Sequence, residues 1–377
     1  MAMSTARRAG ITVALLAAFG GALFFALRGQ QQERVEQQAA AEVASTVALK
    51  GLIALDVEPY FKDERVKRAL AAKKLPVQVV RMGSRDMASK VAPGSTPDFF
   101  FSSGVVAANQ IVDAARKANL SAVQSAPFHT PLVIASWEPI AQILVANGVA
   151  KALSPKVYGV DMGKLTELML ARKRWKDLKG AAAYDVSRSV LVSTTDLRRS
   201  NSGALFLALT SAAVHGDIVT DRATGQALSL KLAELFKRQG YQENYVNGNF
   251  DDYVAIGIGK TPMAFIYENQ LVRYALTKGG VGEGMVLMYP LPTIVNKLVF
   301  VALNERSRAL GQALAQDAEL QSIAVEYGFR IADAERFAVA VKPTGLAVEP
   351  RVTQVIDPPS FEVMSEMIDV VAREMQQ

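Results

Sequence analysis

The stretch from Ser189 to Gly203, SVLVSTTDLRRSNSG, runs directly into the apolar ALFLALTSAA. Its β-like start, Val190-Leu191-Val192, ends in the hydroxyls of Ser193, Thr194 and Thr195. A polar loop then passes through Ser200, Asn201, Ser202 and Gly203 into a helix-forming run. Strand, polar turn and helix N-terminus follow one another. Backbone N–H groups in a first helical turn have no intrahelical acceptor. With short hydroxyl and amide side chains beside them, they can hold an anion or a polar ligand without any charged side chain. The same residues also serve as a plain helix cap, so this stretch alone leaves both readings open.

The same order of elements recurs upstream. Leu49 to Leu55 reads as a strand, and Lys62 to Lys74 as a helix with Val66 and Leu70 on one buried stripe. Pro76 to Val80 is the next strand, emptying into the turn Arg81 to Asp86. Phe99-Phe100-Phe101 then leads through Ser102-Ser103-Gly104 into the helical VVAANQIVDAARKA. The alternation predicts right-handed βαβ units and a parallel sheet. In such sheets ligands bind beyond the carboxyl ends of the strands, where Gly83, Ser84, Ser102 and Ser103 fall. Further on, PLVIASW (131–137) is extended and EPIAQILVANG helical. Lys164 to Leu170 is amphipathic, and RKRWKDLK (172–179) reads as a solvated basic surface around one docked Trp175. Helices are predicted over Thr224–Gln239 and Phe250–Ile258, and strands over Thr261–Ile266, Met285–Tyr289 and Val295–Leu303. The remainder is mainly helical.

A chain of 377 residues predicts about two domains, and 50% hydrophobic with 21% charged residues predicts folded ones. Without cysteine there is no disulfide, thiolate metal site or lipidated thiol. The formal charge of +6 suits an anionic partner, but its basic residues are scattered without interleaved aromatics, so no nucleic-acid groove is expected. At the N-terminus, Arg7 and Arg8 precede the uncharged Ile11 to Leu27. Residues 1–29 read as an uncleaved signal anchor, with the bulk of the chain extracytoplasmic, and the polar 30–47 as a stalk.

Catalytic chemistry finds no constellation. Gly257-Ile-Gly-Lys-Thr261 resembles half a P-loop, but the required upstream glycine position holds Val254, and Pro262 opposes a following helix. The adjacent Asp251 and Asp252 diverge on a helix. His129 reads as a packed or linker histidine and His215 as a helix end. No nucleophile, base, metal site or cofactor is nominated.

Taken in their order along the chain, several of these pieces resemble the extracellular solute-binding proteins of ABC importers, in the two-lobed class that includes phosphate-, sulfate- and molybdate-binding proteins. The carriers are Gly83-Ser84-Arg85, the SSG at 102–104, TPLVIASW (130–137), the SNSG at 200–203, TPMAFIYENQ (261–270), YPLP (289–292) before VNKLVFVAL, and EYGFR (326–330). The resemblance implies an α/β fold of two lobes joined by crossover strands: residues 48–136 and 293–377 as lobe 1, and 137–292 inserted as lobe 2. It implies ligand contacts from Gly83, Ser84, Arg85, Ser102, Ser103, Ser193, Thr194, Thr195, Ser200, Asn201, Ser202 and Tyr267. Glu268 is open between ligand contact, a surface carboxylate and a salt bridge to Arg273. The function implied is capture of a small polar or anionic solute, an oxyanion among the options, for an ABC permease. A membrane-bound structural or sensory interaction module is the alternative.

Overall fold

The computed structural model describes residues 47–92, 94, 96–239 and 248–376. The expected N-terminal anchor and most of the stalk lie outside these residues. Among the described residues no helix is long and apolar enough to cross a membrane.

Among the described residues nine strands form one continuous mixed sheet: β1 (Leu49–Ile53), β2 (Val77–Arg81), β3 (Phe99–Ser103), β4 (Val123–Trp137), β5 (Ala150–Ser154), β6 (Val157–Asp161), β7 (Met263–Tyr267), β8 (Met285–Leu291) and β9 (Val295–Ala302). The helices are α1 (Glu58–Lys62), α2 (Glu64–Ala72), α3 (Val105–Lys117), α4 (Glu138–Ala146), α5 (Met162–Leu170), α6 (Asn201–His215), α7 (Arg222–Lys237), α8 (Gly248–Ile256), α9 (Glu268–Lys278), α10 (Glu305–Gln316), α11 (Ala318–Glu326), α12 (Ala334–Val341) and α13 (Phe361–Glu374).

The strand order β2-β1-β3-β9-β4-β8-β6-β5, with β7 also on β4, divides at β4. Residues Val123–Pro131 of β4 pair with β9, and Leu132–Trp137 pair with β7 and β8. One 15-residue strand therefore passes from one lobe's half-sheet into the other's. The chain returns through β8, residues 292–294 and β9. The expected parallel sheet holds for β2-β1-β3 and for β6-β8. β9 and β4 are antiparallel to their neighbours in the first half-sheet, because each is a connection between the lobes rather than a step of a βαβ unit.

Local chemistry fixes these elements. The Asp63 carboxylate caps α2 by accepting from the Arg65 N–H at 2.8 Å. β3, FFFSS, is buried along its whole length, as a central strand covered on both faces must be. Alternate residues of β4 enter different cores. Leu132 and Ile134 face a cluster with α4 to α7, whereas Val133 and Ala135 face one that continues beneath both half-sheets, with α1, α2 and α9 to α12. A third cluster, with Met87, Phe100, Ala108 and Ile111, covers the opposite face of the first half-sheet. The lobes thus share a core on one side of the sheet and carry separate helical layers on the other.

The C-terminal segment corrects the expectation that all of 293–377 belongs to lobe 1. After α12 it crosses the second connection, where Thr293 N–H donates to Gln354 O at 3.0 Å and Ile356 N–H to Thr293 O at 2.9 Å. Helix α13 then buries Val363, Met367, Ile368 and Val371 in the lobe 2 core. Met367 lies over Gly225 of α7, where an added Cβ would come within 3.0 Å of it. An apolar stripe needs a partner surface, and the small residue on α7 provides the close approach.

Candidate functional site

Polar side chains from several segments meet near the junction of the two half-sheets. Ser84 opens the turn after β2, and Ser103 ends β3 just before Gly104, whose φ of 92° turns the chain into α3. Asp56 sits in the turn after β1, and Asn296 on β9 opposite Thr130 of β4. From lobe 2, Tyr267 ends β7 and Asn201 opens α6. The Ser103 N–H donates to Ser84 Oγ at 2.9 Å, Asn296 Nδ2 to Ser103 Oγ at 2.8 Å, and Asn201 Nδ2 to Tyr267 Oη at 3.1 Å. The Ser103 side chain also lowers the pKa of the Asp56 carboxyl and of the Tyr267 hydroxyl, against the burial that raises both.

Burial sets the electrostatics. Asp56 is half-buried in the turn after β1. Desolvation pushes its carboxyl above the usual range, opposed only by the Ser103 side chain. Tyr267, 1% exposed, is held protonated, first by burial and then by the Asp56 charge. Asn296, 2% exposed, leaves its Oδ1 without a hydrogen-bond partner. Beside the network, Arg85 is exposed at its surface; partial burial lowers its pKa, while Asp86 and Asp369 of α13 oppose that shift.

Of the residues nominated from sequence, Ser84, Ser103, Asn201 and Tyr267 meet, with Gly83 and Arg85 on the same turn as Ser84. The others are engaged elsewhere. Ser102 points to the opposite side of β3 from Ser103, as strand alternation requires, and donates to Val299 O at 3.4 Å. Ser193 pairs through its backbone with β7, so the strand expected over 190–192 reduces to isolated bridges at Ser189 and Ser193. Thr194 bonds Gln239 through both its N–H and its hydroxyl, at 2.8 and 3.0 Å. Thr195, Ser200 and Ser202 form a closed hydroxyl triangle with sides of 2.8, 2.8 and 2.9 Å. Gly203 permits this, because a Cβ there would stand 2.4 Å from Thr195 O and 2.9 Å from the Leu197 backbone.

Glu268 takes none of the three roles open to it from sequence. It is fully buried and paired with Arg330, whose Nε and Nη2 donate at 2.6 and 2.8 Å, and it also accepts from the Tyr289 hydroxyl. Arg330 donates further to the carbonyls of Glu349 and Pro350, at 2.6 and 3.1 Å. This cluster bolts the C-terminal segment to the hinge. Asp56 and Asn296 escape sequence inspection for different reasons. Asp56 follows a strand in the same position as Ser84 and Ser103 and is legible by that rule. Asn296 is a lone amide in an apolar strand, with no local signal.

Open cavities of about 310 and 350 Å³ lie elsewhere, between the β5–β6 edge and residues 349–354. Their basic rim is partly neutralised, with Lys164 turned to Gly148 O at 3.1 Å and Asp161 at 3.8 Å. None of the described side-chain atoms that are buried without a partner belongs to their lining. The lobe junction is the better candidate site.

No family model matches the sequence, and no curated relative does. Solved structures share its fold. One is an ABC transporter protein from Clostridium perfringens, 15% identical over 87% of this chain and 99% of the other, with a TM-score of 0.54. A Trichodesmium protein in complex with iron and citrate is 13% identical over 87% and 99%, with a TM-score of 0.52. The periplasmic binding protein AfuA from Actinobacillus pleuropneumoniae, with fructose-6-phosphate bound, is 15% identical over 87% and 98%, with a TM-score of 0.50. The architecture is that of the two-lobed periplasmic binding proteins.

Proposed function

We propose that this chain is an extracytoplasmic solute-binding protein that takes a small polar solute between its lobes and passes it to an importer of the ABC class. The observation that carries this reading is the pair of buried polar sets at the junction, Ser84, Ser103 and Asn296 on lobe 1 and Asn201 with Tyr267 on lobe 2. Polar groups drawn from strand ends and a helix start, meeting where two lobes separate, suit a ligand that both lobes contact. Such a ligand shifts a hinge equilibrium toward closure. Gly83 and Arg85 form the rim in this reading. The loop 193–202 acts as a scaffold that presents Asn201. The likeness in fold to periplasmic binding proteins supports the assignment, and the uncharged run Ile11 to Leu27 supplies a tether to the membrane.

A thermal-melt screen of the full chain against sugars, amino acids, amines and oxyanions tests the proposal. A ligand at a hundred times its Kd stabilises by about 2.7 kcal/mol. The reading fails if no solute in a broad panel raises the melting temperature.

A further inference from the structure

From the path of the C-terminal segment, we infer that residues 349–356 are a strap that clamps the hinge at Thr293 and limits how far the two lobes rotate relative to each other. The inference goes beyond the solute-binding reading, since it concerns lobe motion and holds or fails without any ligand.

Thr293 lies in the second connection, 1% exposed, and is tied to both other chain segments at the hinge. Its hydroxyl donates to Leu132 O at 2.9 Å, where β4 passes between the lobes. Its N–H donates to Gln354 O at 3.0 Å, and its carbonyl accepts from the Ile356 N–H at 2.9 Å. The two connections also bond directly, with the Leu132 N–H on Ile294 O at 3.0 Å. Segments around residues 132, 293 and 355 thus cross between the lobes side by side. A hinge turns by changing a few backbone dihedrals. With the third segment bonded across this one, the same rotation has to stretch or break the bonds to Thr293.

The strap is anchored on either side of the hinge. Before it, Leu346 is buried in the shared core, and the Arg330 guanidinium holds the carbonyls of Glu349 and Pro350 at 2.6 and 3.1 Å. The Glu349 N–H donates to Tyr289 Oη at 3.0 Å. After it, α13 is fixed to α7 by Met367 over Gly225, by Gln226 Nε2 on Glu366 Oε1 at 2.8 Å and by Lys237 with Glu374 at 3.0 Å. Between these anchors Thr353, Gln354 and Val355 are exposed, and the open cavities of about 310 and 350 Å³ lie between 349–354 and the β5–β6 edge. A strap with open space beneath it is positioned by its ends and by Thr293. Gln354, whose carbonyl meets the Thr293 N–H, has a φ of 54°, in the left-handed region that a glutamine rarely adopts. Strain of this kind persists only where the surroundings hold it. In the solute-binding reading, the clamp sets the free energy that a solute must supply to move the lobes.

The test is a pulsed dipolar electron paramagnetic resonance measurement of the distance between the lobes in the full chain. The chain has no cysteine, so Lys117→Cys on α3 and Lys231→Cys on α7, both exposed, carry one spin label on each lobe. A protease site inserted between Arg351 and Val352 lets the strap be cut after folding, with the uncut protein as reference. Ile356→Pro removes the donor to the Thr293 carbonyl and leaves the strap intact. Cutting should shift or broaden the distance distribution, and Ile356→Pro should do so to a smaller extent. A distribution unchanged by the cut, with only a lower melting temperature, makes the segment a structural tail and overturns the inference. A change on cutting with none in Ile356→Pro overturns the clamp at Thr293, because the covalent link alone then accounts for the restraint. If the cut fragment dissociates, Ile356→Pro decides alone, and an unchanged distribution there overturns the inference.

Discussion

Replacing Arg330 by Leu isolates the contribution of the buried hinge cluster. The wild-type guanidinium makes two bonds to Glu268 at 2.6 and 2.8 Å and two to the Glu349 and Pro350 carbonyls at 2.6 and 3.1 Å. Glu268 is 0% exposed and Arg330 6%. In Arg330→Leu the carboxylate stays buried with only the Tyr289 hydroxyl, and breaking one side of such a pair costs about 3–5 kcal/mol. The two carbonyls lie nearer the surface and can be rehydrated, so they add little. Urea denaturation of the full chain should show a loss of about 4 kcal/mol. Removing both charges, in Glu268→Leu with Arg330→Leu, should be less damaging than either single change, because no buried charge then lacks a partner. Hydrogen exchange should also quicken at 349–356, where the chain crosses the hinge, while α13 stays protected by its own apolar stripe. A loss under about 1 kcal/mol in Arg330→Leu, or a double variant as unstable as the two single losses added together, would refute the reasoning.

Gly203→Ala should cost more than about 2 kcal/mol in thermal melts, because its Cβ would meet the Thr195 carbonyl at 2.4 Å and backbone has no rotamer to yield. Ser202→Ala breaks the hydroxyl triangle and should cost about 1 kcal/mol while leaving the affinity of any bound solute within about twofold, whereas Asn201→Ala should weaken that affinity roughly tenfold; equal effects on affinity would contradict the assignment. The Arg65 side chain, ahead of the Arg65 N–H, holds the Asp63 carboxyl down from 3.8 to about 2. The ionised form is therefore favoured in the fold. Its stabilisation is fully present above about pH 4 and is lost as pH falls through 2. Asp63→Asn should lower stability by about 1 kcal/mol at pH 7 and by almost nothing near pH 2, as read from melts across that range.

The strand-helix alternation of residues 49–117 is legible because each element there is local: a capped helix, an apolar strand and a turn of small polar residues. It extends to the parallel pairing of β1 with β2 and β3. The antiparallel entry of β4 and β9 is not legible, since strand direction depends on which lobe the chain has just left. Nor is the docking of α13 on lobe 2. Its stripe of Val363, Met367 and Val371 announces a buried face, but nothing local identifies Gly225, some 140 residues earlier, as the surface it covers. Glu268 is misleading for a related reason. Its local neighbour is Arg273, whereas its partner Arg330 lies 62 residues away.

In the loop Ser193 to Ser202, hydroxyls bond one another. A hydroxyl both gives and accepts, so three of them brought together can satisfy one another completely. Gly203 lets the chain fold tightly enough for Thr195, Ser200 and Ser202 to do so. Their abundance in sequence is then a sign of internal closure as much as of ligand contact.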